Sequence, residues 1–158
     1  MPDLPTRRFG RTELPIPLLS LGGMRFQQSW TDLPASEITS DSQSNLQATL
    51  QRATQLGLHH VETARHYGSS ERQLGWAFPT TPDPTRILQS KVPPREDPDA
   101  FEAELTLSFE RLGCQRLDLL AIHGINLPEH LVQTLKRAMG LVYFCNYLMT
   151  FLLQKARN

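Results

Sequence analysis

Short apolar runs alternate with segments of helical periodicity along most of this chain, and that alternation constrains its fold more than any other feature. The runs fall at residues 18–21, 58–62, 86–92 and 117–122. Between the first two, Leu46, Leu50, Ala53 and Leu56 recur at helical spacing, with Asp41 or Ser42 as N-cap and Gly57 as the stop. A short helix starts near Ser69-Ser70-Glu71 and carries Leu74 and Phe78. Asp97 then caps a helix with Pro98 at its first position; Phe101, Leu105 and Leu112 line one face and Gly113 ends it. Asn126 and Pro128 open a fourth helix with Leu131, Leu135 and Ala138. Strands alternating with helices build βαβ units and a parallel sheet with right-handed crossovers. Ahead of them, residues 7–14 read as a hairpin turning at Gly10, and Pro15 and Pro17 keep the chain extended. Two architectures fit the pattern, a doubly wound sheet or half of a barrel. No GxGxxG follows the first run, so a Rossmann dinucleotide site is not supported.

Composition removes several classes of function. Lys+Arg and Asp+Glu both number 16, and no basic patch marks a nucleic-acid partner. The two cysteines, Cys114 and Cys145, form no CxxC pair, which argues against a zinc site, an iron–sulfur cluster or a disulfide framework. Met1 to Arg8 leads into no apolar stretch, so a reducing, cytoplasmic location is expected. Residues 140–153 are apolar but fall short of the roughly 20 residues of a bilayer span, and they include Asn146. A membrane-peripheral anchor from Tyr143 to Leu153, with Lys155 and Arg157 nearby, is the weaker reading. The stronger one is a helix packed on the sheet.

Three apolar runs finish on an ionisable residue: Glu62 after Val61, Lys91 after Leu88-Gln-Ser, and His123 after Ala121-Ile122. Tyr67 lies five positions past Glu62, in the loop Thr63-Ala-Arg-His-Tyr-Gly68. In a parallel barrel the C-terminal strand ends line one mouth, where active sites sit. Such a set suits carbonyl chemistry. Tyrosine is a weak acid, with a reference pKa of about 10. An ammonium ~4 Å from the phenol favours the phenolate by ~4 kcal/mol at an effective dielectric of about 20. That makes Tyr67 a candidate general acid, with Glu62 holding Lys91 and His123 orienting a carbonyl oxygen. Each residue also has a plainer reading. His123 can be a polar strand end, Lys91 a solvated loop lysine, Tyr67 a cover for the core, and Glu62-Thr63 a turn pair. His59, His60, His66 and His130 read as structural or exposed.

Taken as text, these segments resemble the aldo-keto reductase family. Arg8-Phe-Gly-Arg-Thr-Glu-Leu-Pro-Ile-Pro-Leu-Leu-Ser-Leu-Gly-Gly-Met24 is similar to that family's opening hairpin and first barrel strand. Gly57-Leu-His-His-Val-Glu-Thr-Ala-Arg-His-Tyr-Gly-Ser-Ser-Glu-Arg-Gln-Leu-Gly75 resembles its second-strand signature. Ile87-Leu-Gln-Ser-Lys91 and Leu117-Asp-Leu-Leu-Ala-Ile-His123 look like the third and fourth strands. The resemblance implies an α/β fold of the (β/α)8 TIM-barrel type, of which the first four βα units are present behind an N-terminal hairpin. It implies reduction of a small aldehyde or ketone with NADP(H) through an Asp–Tyr–Lys–His tetrad, matched here by Tyr67, Lys91 and His123. Glu62 stands at the Asp position, one methylene longer. Gly22, Gly23 and Met24 are implied to border the nicotinamide end of the cofactor. The wording also resembles a branch that often carries a C-terminal iron–sulfur segment, which has no counterpart here.

Barrels of this type run to about 250 residues. The reading therefore divides the chain into residues 1–139, the first half of a barrel, and residues 140–158, an apolar tail unlike the family. A truncated or frame-shifted product accounts for that division, and so does a real variant with a different ending. Four strands without their partners leave open edges and an uncovered face, so self-association is expected too. The alternative function is an inactive fragment lacking the cofactor's phosphate and adenine site.

Overall fold

The computed structural model describes residues 4–124. The expected fourth helix, His130, Cys145 and the apolar tail lie outside the described residues. The chain opens with a hairpin: β1 (Thr6–Arg8) pairs antiparallel with β2 (Pro15–Pro17), placing Arg7 opposite Ile16. The Phe9 amide donates to the Leu14 carbonyl (2.9 Å) to close the turn, and Gly10 takes the left-handed φ of 57° that it needs. A four-stranded sheet follows in the order β3 (Leu21–Gly22), β4 (His60–Glu62), β5 (Ile87–Val92), β6 (Leu119–Ile122), with every neighbouring pair parallel. Helices α1 (Ser40–Gln55), α2 (Ser70–Ala77) and α3 (Pro98–Leu112) make the crossovers. These are the first four strands of a (β/α)8 barrel and the helices that connect them.

Local signals account for most boundaries. Asp97 caps α3 by accepting from the Asp99 amide, Pro98 occupies the first turn, and Gly113 ends the helix at φ 62°. The cap of α1 differs from expectation. Thr39, not Asp41 or Ser42, accepts from the Ser42 amide, so the helix starts earlier and leaves Asp41 in its first turn, where the helix dipole favours a carboxylate. The first strand also differs. Leu18 and Leu19 are 57% and 59% exposed, and β3 begins only at Leu21. The Leu18 amide is bonded to the Pro5 carbonyl, so this stretch still follows the hairpin (3.0 Å).

The two faces of the sheet have different partners. Val61, Leu88, Val92 and Leu120 point toward the helices and join Leu46, Leu50, Leu74, Phe101, Leu105 and Leu112 in the main core. Residues alternating with them face inward. There Ile87 and Leu119 pack on Ile16 of the hairpin, with Leu14 beside them. The hairpin thus plugs the N-terminal ends of the strands with apolar side chains. The C-terminal ends remain for polar groups.

Candidate active site

Glu62 closes β4, Lys91 sits next to last in β5, and His123 follows β6, so the parallel strands bring all three to the same end of the sheet. The ladder continues past the strands. The Thr63 and Arg65 amides donate to the Gln89 and Lys91 carbonyls (2.9 and 2.8 Å), and the His123 amide donates to Val92 (2.8 Å). A turn closed by the Tyr67 amide on the Ala64 carbonyl (3.0 Å) then carries Tyr67 back over the strand ends.

The four side chains meet. Glu62 and Lys91 form an ion pair with 22% and 19% of their side chains exposed, so the longer glutamate still reaches the lysine. The Lys91 ammonium lies 4.7 Å from the centre of the Tyr67 ring, a cation over an aromatic face. The approach seen is thus to the face of the ring. The Tyr67 ring stands edge-on to His123, centres 5.5 Å apart and planes at 88°. Exposed His66 completes the group, 5.8 Å from His123.

Burial sets the charges here. Desolvation lowers Lys91 from its usual 10.5 to about 8. The Glu62 carboxylate works the other way and keeps the ammonium populated at neutral pH. His123 is lowered by burial, then by the Lys91 and His66 charges, and is therefore neutral at pH 7. Its Nδ1 is buried without a hydrogen-bond partner among the described residues. A neutral imidazole with one unpaired nitrogen suits a carbonyl or amide ligand better than a further cation.

The three residues expected beside a nicotinamide behave differently from one another. A side chain at Gly22 would meet nothing closer than Glu62 Oε2 at 4.0 Å, so a ligand can approach this backbone. Gly23 is buried, and a Cβ there would press on Ser70 Oγ at 2.8 Å and Thr63 Oγ1 at 2.9 Å. It is a packing glycine, and its carbonyl accepts from Ser70 Oγ (2.9 Å). Met24 is exposed. Gly22, together with the unpaired His123 nitrogen, fits the nicotinamide end of such a cofactor.

His60 is structural, as expected. Buried, and lowered by that burial, it pairs with Ser20 Oγ (2.7 Å) and Gln89 Oε1 (3.1 Å) inside the sheet. His59 pairs with Asp83 (2.8 Å). Three functional candidates escaped the sequence reading: Arg65, Glu71 and Asp32. Arg65 is buried and donates to Glu71 Oε2 and Asp32 Oδ2 (both 2.5 Å). A cavity of about 280 Å³ lies away from all of this, beside Arg86, Leu88 and Asp118 at the N-terminal ends of β5 and β6. Among the described residues no cluster suits a metal ion, and no helix is long and apolar enough to cross a membrane.

A parallel barrel segment with its ionisable groups at the C-terminal mouth defines a class, the (β/α)8-barrel proteins that use that mouth as their site. The family model for the aldo/keto reductase family matches residues 18–142, and the chain belongs to that family. Solved structures agree on the fold. A thermostable aldo-keto reductase in complex with the inhibitor epalrestat is 25% identical, with a TM-score of 0.70 over 86% of this chain and 50% of its own. An aldo-keto reductase from Bacillus halodurans is 17% identical, with a TM-score of 0.69 over 89% and 48%. One from Klebsiella pneumoniae, solved with NADP and acetate, is 22% identical, with a TM-score of 0.64 over 88% and 47%. The chain spans about half the length of these relatives. No curated protein matches it.

Proposed function

We propose that this chain carries the proton-handling half of an NADP(H)-dependent carbonyl reductase. The observation that supports this most is the contact set at the mouth: Glu62 paired with Lys91, Lys91 over Tyr67, and Tyr67 against a neutral His123. The family's solved members with NADP support the cofactor class. When bound, the reduced nicotinamide supplies a hydride to the carbonyl carbon. The residues do the rest. Gly22 leaves the backbone open beside Glu62 for the nicotinamide end. His123, neutral, donates one hydrogen bond to the substrate oxygen and orients it. Tyr67 gives that oxygen its phenolic proton, helped by the Lys91 charge nearby. Glu62 fixes Lys91 and favours its charged form. The substrate class is a small aldehyde or ketone. The setting is the reducing cytoplasm, consistent with cysteines that form no paired motif.

The test is turnover of a simple aldehyde with NADPH by purified wild type and Tyr67→Phe. General acid–base groups contribute about 10² to 10⁴-fold, and the variant should lose that much in kcat while remaining folded. Equal rates would remove Tyr67 as the acid. A wild type without turnover would favour the reading of an inactive fragment.

A further inference from the structure

Two loops meet behind the candidate site, and one buried arginine joins them. The β3–α1 loop passes over the β4–α2 loop at three successive points. The Gln28 amide donates to Ser69 Oγ (3.3 Å). The Ser29 carbonyl lies so close to Gly68 that a Cβ there would stand 1.8 Å from its oxygen, and Gly68 holds a φ of 49°. Asp32 then accepts from Arg65 (2.5 Å). Arg65 and Gly68 flank Tyr67 in sequence, so the contact brackets the tyrosine.

Arg65 is the centre of a network. Its other guanidinium nitrogen donates to Glu71 (2.5 Å), which is fully buried and also accepts from Ser90 Oγ of β5 (2.6 Å). Arg111 of α3 donates to the same Asp32 oxygen (2.9 Å), and Glu104 of α3 lies 3.9 Å from Arg65 Nε and pairs with Arg95. The Arg65 amide is at the same time bonded to the Lys91 carbonyl (2.8 Å). One residue therefore ties the turn holding Tyr67 to the strand holding Lys91, to α2 and α3, and to the neighbouring loop. Arginine's planar fork suits this bridging; a lysine has one point charge to offer.

We infer that Arg65, clamped by Asp32 and Glu71, is a positioning residue that fixes Tyr67 against Lys91 and His123. This rests on the function proposed above for those three side chains. Salt bridges buried this deeply do not by themselves add stability. What this one supplies is a single geometry for two loops, and a displacement of ~1 Å at a reacting group can cost about 10²-fold in rate.

Asp32→Ala is the informative variant, because it leaves Arg65 neutralised by Glu71 and removes a side chain that is 26% exposed. We expect a folded protein whose kcat falls about tenfold with little change in KM. Arg65→Lys should lose about as much, since it keeps the charge and loses the fork. A second readout needs no turnover. His123 titrates below its ordinary value because it is buried against Tyr67, His66 and Lys91. Its NMR midpoint, assigned with His123→Gln, should move up toward about 6.5 in Asp32→Ala as the turn relaxes. A folded Asp32→Ala whose kcat and His123 midpoint both match wild type would overturn the inference. Were the wild type itself inactive, the midpoint alone would decide the positioning role, and only the carbonyl reductase reading would fall.

Discussion

The two ends of the same four strands are built from opposite materials. At the N-terminal end Ile87 and Leu119 meet Ile16 of the hairpin, an apolar plug. At the C-terminal end, four residues further along the same inward face, stand Lys91 of β5 and His123 just past β6. Strand alternation delivers both sets to one face, and the direction of the strands sorts them to opposite ends. One end stores stability, while the other holds a largely buried charge pair, an aromatic ring and an imidazole nitrogen unpaired among the described residues. Substitutions at the two ends should therefore be read by different instruments.

The largest effect expected at the plug is Leu119→Ala. Leu119 is buried, and large-to-small core changes of this kind cost about 2–5 kcal/mol. Urea unfolding should show that loss, while kcat per folded molecule stays near wild type. A comparable fall in kcat would break the division between the ends. A smaller and sharper effect belongs to Lys91. The Lys91 charge proposed to assist Tyr67 is present below about pH 8 and is lost above it, so turnover should decline as pH rises through about 8. Stability has the opposite sign. The folded-state value lies below the unfolded 10.5, so between about 8 and 10.5 the unfolded chain binds the extra proton and this residue's contribution to stability rises with pH. A pH–rate profile and urea unfolding of wild type and Lys91→Met across that window should show the two curves diverging. A stability contribution from Lys91 that fell with pH would contradict its burial.

What the sequence made legible was local. Asp97-Pro98 and Gly113 bound α3 because caps are short-range chemistry, and Glu62, Lys91 and His123 announced themselves as ionisable residues at the ends of apolar runs. Leu18 and Leu19 misled because apolar character marks a strand only where something covers it, and here they belong to the approach from the hairpin. Arg65 was invisible for a different reason. Its partner Asp32 lies 33 residues earlier in a polar stretch that reads as solvated loop, and only the crossing of two loops makes the pair. A charged residue within Thr-Ala-Arg, just after a strand, was the one available hint.

The central claim is that this end of the sheet receives a reduced nicotinamide. Fluorescence titration of the purified chain with NADPH tests it most directly. Saturable binding, weakened by Gly22→Val, which places a branched side chain beside Glu62, is the expected result. No binding up to millimolar cofactor would contradict the account and leave the four side chains without a partner to act on.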